Sequence, residues 1–212
     1  MNILVVAATQ LELDAIDALK MPHGKFISKK PLGVGQVATT YHLLTEIEHQ
    51  RPDLIIQIGI AGTFSSTITL GEAFVIETEY MPDMGVEENG IFQSIFEMRL
   101  LDNDQLPFSN RKLINPHKTL IEKTELLRAN AISVNEITTS KKRIDYYINT
   151  YSPELESMEG AAFHYCCLMK EIPFVQIRGV SNYIGERDKK NWKIETALHR
   201  VCSSVQQLID NI

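Results

Sequence analysis

What this sequence lacks narrows its role first. No apolar run approaches the length of a bilayer span. The one near the N-terminus is only Ile3 to Ala8 with no basic flank before it, so neither a membrane segment nor a secretory leader is expected. Basic excess is absent too: Lys plus Arg number 21 against 27 Asp plus Glu, a formal charge of -6. Such a chain has no field to attract nucleic acid or an anionic membrane, so its expected partner is a small molecule. Cysteine is scarce and odd in number at 3, which is no disulfide framework and points to reduced thiols in the cytosol. Cys166 and Cys167 are adjacent in an apolar helical run and are read as core. No linker, low-complexity stretch or internal repeat interrupts the 212 residues, and 44% of them are hydrophobic, enough for one domain spanning 1-212.

Several kinds of chemistry lack their motifs. The six histidines show no H-x-x-x-H spacing and the cysteines no C-x-x-C, so no metal is expected. There is no G-x-S-x-G elbow and no P-loop. Gly33, Gly35 and Ala38 fit G-x-G-x-x-A with Asp53 downstream, but the context of a dinucleotide site is missing. The fingerprint should follow the first buried strand, whereas Lys29, Lys30 and Pro31 precede these glycines and Asp53 comes before its strand. No cofactor is expected.

What is present is an alternation of strands and helices. Asn2 to Ala8 reads as a buried strand, and Thr9 with Glu12 three residues on opens a helix as a capping box. Residues 23 to 34 read as short strands with a turn at Lys30 and Pro31. Gly35 leads a helix through Gln50 with Val37, Tyr41, Leu44 and Ile47 as its apolar face. Leu54 to Ile60, Glu72 to Tyr80, Ala129 to Ile137 and Phe174 to Val180 read as strands, and Ser140 to Tyr151 as a helix. A last amphipathic helix begins at Lys193, while residues 81 to 127 are expected to be loops and edge structure. The fold class is therefore α/β, a three-layer α/β/α sandwich around a mixed, largely parallel sheet.

Polar groups set into apolar structure mark the candidate site. Glu159 opens the nearly apolar helical run 160 to 169, Arg178 sits inside a buried strand, and Asn182 follows its end. Burying such groups is costly, and strand ends in α/β sheets commonly face the ligand. Each has a structural reading as well: Glu12 as a capping residue, Glu159 as a favourable charge at a helix start, Arg178 as an ion-pair partner, Asn182 as a turn residue.

The ordered blocks Glu12 after strand one, GVGQVATT, PDLIIQIGIAG, SMEGAA and VQIRGVSN resemble the purine nucleoside phosphorylase and nucleosidase superfamily over nearly the whole chain. Among its members they look like the nucleosidases of methylthioadenosine and S-adenosylhomocysteine. SMEGAAF, MPDMGVEENGIF and SNYIGERDKKNWKI look most like the futalosine hydrolases, which release hypoxanthine in menaquinone biosynthesis. The resemblance implies that Glu12 activates water, that Glu159 holds the ribose hydroxyls, and that Met158 packs on the ribose. It further implies that Arg178 lies near the water and its carboxylate, that Asn182 faces purine N7, and that Gly59, Ala61 and Gly62 form a loop lining the nucleoside cleft. Ile60 stands where methylthioadenosine enzymes carry serine. It also implies a homodimer with part of the 5′ pocket borrowed from the second copy.

Two points bear on substrate. Relatives that release adenine carry Asp at the position of Asn182; an amide donates to N7 and O6 of a 6-oxopurine without titrating, which favours hypoxanthine. The phosphate-binding arginine of phosphorylases, in a GDP-x-R-like segment, has no counterpart in ATQLELDA, which favours hydrolysis. Trp192 is expected to line the pocket for the 5′ substituent. The charge run Arg187, Lys189, Lys190 and Lys193 is read first as a solvated loop, with one member as a possible partner for a substrate carboxylate. Competing readings are adenine release, phosphorolysis, and a nucleoside-binding sensor without turnover.

Overall fold

The computed structural model describes residues 1–17, 19–20 and 23–212. The first strand, β1 (Asn2–Ala7), shows how the layers arise. Its side chains alternate by the period of a strand: Ile3, Val5 and Ala7 enter one core cluster, Leu4 and Val6 another on the opposite face. After it come α1 (Gln10–Asp14), β2 (Phe26–Pro31), α2 (Gln36–Gln50), β3 (Leu54–Thr63) and β4 (Ala73–Tyr80). A small hairpin, β5 (Gly85–Glu88) with β6 (Ile91–Ser94), and the short β7 (Leu113–Ile114) and α3 (Lys118–Lys123) fill the middle of the chain. The remainder is β8 (Leu127–Ser133), α4 (Lys141–Tyr151), β9 (Leu155–Ser157), α5 (Gly160–Met169), β10 (Phe174–Tyr183) and α6 (Ile194–Asn211).

The expected mixed, largely parallel sheet is found, in the order β10-β4-β8-β9-β3-β1-β2. β3 pairs in parallel with β1 and β10, and β8 in parallel with β4 and β9, whereas β10–β4, β3–β9 and β4–β7 are antiparallel. Because β10 pairs with both β4 and β3, strands β3, β10, β4, β8 and β9 close into a ring, with β1 and β2 extending from β3. Closure removes edges from those five strands and gathers the ends of β3, β9 and β10 at one place.

On one side α6 packs Val201, Val205, Leu208 and Ile209 against Ile56, Ile58, Val175 and Ile177, as its amphipathic pattern required. On the other, Phe163, Cys166 and Cys167 of α5 meet Leu43 and Ile47 of α2. Burial pushes the Cys166 thiol up to about 11 and raises that of Cys167 well above its ordinary value, in keeping with inert core residues.

Five expectations need correction. The strand expected from Ala129 to Ile137 is β8, which starts at Leu127 and ends at Ser133, so Ile137 lies beyond it. Lys30 and Pro31 are not a turn but the end of β2, an edge strand where proline's missing N–H does no harm. In α2 the buried side chains are Gln36, Thr39, Leu43 and Ile47, while Val37 and Tyr41 stand 84% and 68% exposed. Gly59, Ala61 and Gly62 belong to β3, which runs three residues past its expected end, and not to a loop. Similarly β10 continues through Ser181 and Asn182, because it finds a pairing partner in β3 as far as Thr63. β9 was not foreseen at all, being three residues long. Among the described residues, no helix is long and apolar enough to cross a membrane, and no group of three or more His, Cys, Asp or Glu could hold a metal ion.

Candidate active site

A cavity of about 300 Å³ opens where β3, β9 and β10 end, walled by the starts of α1 and α5 and by the segment before α6. Glu12 reaches it from α1. The capping box is real: Thr9 N–H and Oγ1–H donate to Glu12 Oε2 at 3.0 and 2.8 Å. The same carboxylate also serves the site, since its Oε1 accepts the Ile60 N–H at 3.2 Å. Capping thus fixes the side chain that faces the cavity, and the cap leaves Oε1 on the cavity side.

Glu159 is the residue ahead of the first turn of α5, but its side chain does not cap that helix. Its Oε1 accepts the Gly35 N–H at 3.0 Å, and its Oε2 lies 3.6 Å from Arg178 Nη1, a pair exposed by only 7% and 1%. Gly35 therefore has a role unrelated to dinucleotide binding: with φ of +87° it turns the chain so that its N–H meets this carboxylate. Asp53, the other member of that rejected pattern, accepts the Asn2 N–H far from the cavity.

Arg178 lies beneath the cavity instead of lining it. Its Nη2 donates to Gln57 Oε1 at 3.2 Å and its Nη1 to the Ile60 carbonyl at 3.4 Å. Gly59 makes room for this arrangement: a Cβ there would stand 2.4 Å from Arg178 Nη1 and 2.9 Å from Glu12 Oε1. Gly59 is thus a floor position where the arginine and the carboxylate pass close together. It is not a lining residue, whereas Ile60, Ala61, Gly62, Met158 and Trp192 do line the cavity.

Asn182 arrives by a bulge. β10 pairs Val180 with Ala61 and then Asn182 with Gly62, so Ser181 is the extra residue and Asn182 is turned to the face opposite Arg178. Ser181 Oγ lies 2.7 Å from Asn182 Oδ1, and Asn182 Nδ2 donates to the Tyr183 carbonyl at 3.0 Å. Of the charge run, Arg187 lines the cavity with its guanidinium 5.7 Å from the Trp192 ring centroid. Lys189, Lys190 and Lys193 are exposed, as the solvated-loop reading expects.

Sequence reasoning passed over several groups. Glu156 of β9 lines the cavity at 5% exposure, with Ile137 and Thr138 beside it. Glu79 of β4 is buried just below, accepting from Gln176 Nε2 at 2.9 Å and Ser133 Oγ at 3.0 Å. Burial drives its carboxyl up to about 7, with Gln176, Arg178 and Ser133 opposing and Glu159 adding to the rise. The signal for this layer was Gln57 and Gln176, amides in otherwise apolar strands that pair with each other across β3 and β10. A second cavity of about 330 Å³, between the β5–β6 hairpin and α4, holds none of the site residues predicted from sequence.

Residues 23–212 match the phosphorylase superfamily, and the chain belongs to it. It is 27% identical to the futalosine hydrolase of Thermus thermophilus over 84% of this chain and 78% of that one. It is 24% identical to the futalosine hydrolase of Streptomyces coelicolor over 98% and 95%. The fold superposes on a 5′-methylthioadenosine/S-adenosylhomocysteine nucleosidase of Helicobacter pylori with a TM-score of 0.84 and 15% identity, covering 100% and 99% of the two chains.

Proposed function

We propose that this chain is an N-ribosyl hydrolase that cleaves futalosine with water, releasing hypoxanthine and the dehypoxanthinyl product, in menaquinone biosynthesis. The observation that carries the reading is the convergence of two buried carboxylates, Glu12 and Glu159, around Arg178 and Gly59, with the Asn182 amide in the same cavity. Cleavage of an N-glycosidic bond builds positive charge on the sugar and negative charge on the leaving base. Anionic groups at the sugar and a donor at the base therefore act more strongly on the transition state than on the ground state.

In this reading Glu12 takes a proton from the attacking water, a role typically worth ~10²- to 10⁴-fold in rate. Glu159 holds the ribose hydroxyls, Met158 packs on the ribose, and Arg178 beside it keeps the Glu159 carboxylate aimed. The Asn182 N–H not taken by the Tyr183 carbonyl is shared between N7 and O6 as the base leaves. Ile60 contributes its backbone N–H to Glu12, a contact that does not require the serine of methylthioadenosine enzymes. Trp192 and Arg187 are suited to an aromatic carboxylate at the 5′ end, through stacking and an ion pair. No cofactor or metal enters the scheme. A carboxylate in place of a phosphate-binding arginine disfavours phosphorolysis.

The working unit we propose is a cytosolic homodimer. A groove of about 720 Å³ runs between α2 and the loops around residue 100, edged by Val37, Tyr41, Leu44 and Leu106. Val37, Tyr41 and Leu106 are exposed there, grouped apolar side chains of the kind that mark an interaction surface.

The test is to incubate the protein with futalosine, inosine, methylthioadenosine and S-adenosylhomocysteine, each with and without phosphate, and to follow free base by chromatography. Hypoxanthine from futalosine at a phosphate-independent rate is the expected result. Adenine release, or a requirement for phosphate, would overturn it. Glu159→Gln separates catalysis from mere binding: kcat should collapse while nucleoside affinity persists.

A further inference from the structure

We infer that Glu156 is a specificity-determining residue that accepts the N1–H carried by a 6-oxopurine and lacking in a 6-aminopurine. The inference rests on the nucleosidase reading above and deepens it at the base-binding end.

Three observations carry it. First, Glu156 lines the cavity, and its carboxylate is half satisfied: Oε1 accepts the Thr138 N–H at 3.1 Å, while Oε2 is buried with no partner among the described residues. A buried carboxylate oxygen without a donor is costly unless a ligand supplies one. Second, the sheet places it opposite the other base-reading group. Glu156 pairs with Gly62, and Gly62 pairs with Asn182, so the two side chains project from one face on strands either side of β3. Two strand spacings put them about 10 Å apart, the span of a fused two-ring base with a hydrogen bond at each end. Third, the residue between them is glycine, which leaves the gap open; a Cβ at Gly62 would already sit 2.5 Å from Ile184 Cδ1 and 3.3 Å from Asn182 Nδ2.

The two groups are complementary in kind. A 6-oxopurine offers acceptors at N7 and O6 and a donor at N1. It therefore meets a donating amide on one edge and an accepting carboxylate on the other. Adenine presents an acceptor at N1, which faces Glu156 lone pair to lone pair. Recognition built on hydrogen bonds to buried groups rejects the mismatched substrate strongly, because the site's own polar atoms are left unpaired. Burial and the neighbouring Asp83 carboxylate hold the Glu156 carboxyl above its ordinary range, so a donor from the base is the interaction that would favour its ionised form.

The test compares kcat/KM for futalosine, its N1-methyl derivative and its 6-amino analogue in wild type, Glu156→Gln and Glu156→Ala. Wild type should prefer futalosine over the N1-methyl derivative by at least about 10-fold. In Glu156→Gln the Thr138 N–H retains the amide oxygen and turns the NH₂ to the base as a donor. Futalosine turnover should fall about 10- to 100-fold, and the ratio of 6-amino to 6-oxo turnover should rise by a similar factor. Glu156→Ala should lose discrimination against the N1-methyl derivative. Variants that keep the wild-type ratios would overturn the role of Glu156 while leaving the nucleosidase reading intact. A wild type that releases no base from any of the three would remove both. Should the variants not fold, equal wild-type turnover of futalosine and its N1-methyl derivative overturns the assignment, and selectivity against the methylated base supports it.

Discussion

Asn182 owes its orientation to its immediate neighbours. With Oδ1 against the Ser181 hydroxyl and Nδ2 against the Tyr183 carbonyl, the amide cannot flip without setting two carbonyl oxygens together, so one N–H remains for the cavity. Asn182→Asp puts an oxygen where Nδ2 meets that carbonyl, and the carboxyl must then be protonated to donate. The ratio of 6-oxo to 6-amino turnover should fall at least about 10-fold, and activity on the 6-oxo substrate should become steeper in pH between 6 and 8. Both follow from kcat/KM measured across that range; an unchanged ratio removes Asn182 from base recognition. Glu79 gives a second prediction at this scale. Its folded pKa of about 7 lies above the ordinary value of 4.5. The native state therefore binds the extra proton, and this stabilisation, full below 4.5, is lost as pH rises through 7. Glu79→Gln removes that dependence. Relative to wild type, the variant should gain about 3 kcal/mol of stability between pH 4.5 and 8, as read from urea unfolding at each pH; a constant difference would contradict the assignment.

At the scale of elements, β3 and β10 do the positioning. Their parallel pairing sets Arg178 beside Gly59, and the bulge at Ser181 then turns Asn182 to the other face. A uniform strand would have sent both side chains to one side. Gly59→Ala inserts a methyl 2.4 Å from Arg178 Nη1 and 2.9 Å from Glu12 Oε1. We expect kcat to fall about 100-fold or more with the fold retained. Circular dichroism and the turnover assay would show this, and wild-type activity would refute it. Much of this was readable in advance, for physical reasons. Glu159 and Arg178 stood out because ionic groups in apolar segments need partners; for Glu12 the fixed spacing gave only the capping box, and its place in the site came from the family resemblance. Other features were not readable. The ends of β3 and β10 were missed because glycines, Ser181 and Asn182 look like loop chemistry when the partner strand is unseen. β9 was too short for any periodicity, and Glu156 went with it.

Across the whole molecule, the surface was a further part that the sequence left unread. Val37 and Tyr41 fit the apolar stripe of α2, yet that face is turned outward into a groove while Leu43 and Ile47 fill the core. Periodicity reports that a face is apolar; it does not say whether this chain or another covers it. If a second copy does, Tyr41→Glu and Leu106→Glu should each weaken the dimer at least about 10-fold in sedimentation equilibrium. A wild type that is monomeric at micromolar concentration would contradict the homodimer.

The central claim is that water activated by Glu12 attacks the ribosyl carbon of a 6-oxopurine nucleoside. Its most direct test is the rate of hypoxanthine release from futalosine in phosphate-free buffer, wild type against Glu12→Gln. The account predicts release by the wild type that added phosphate does not accelerate, and a loss of at least about 100-fold in the variant. Release that depends on phosphate, or that survives Glu12→Gln undiminished, would contradict it.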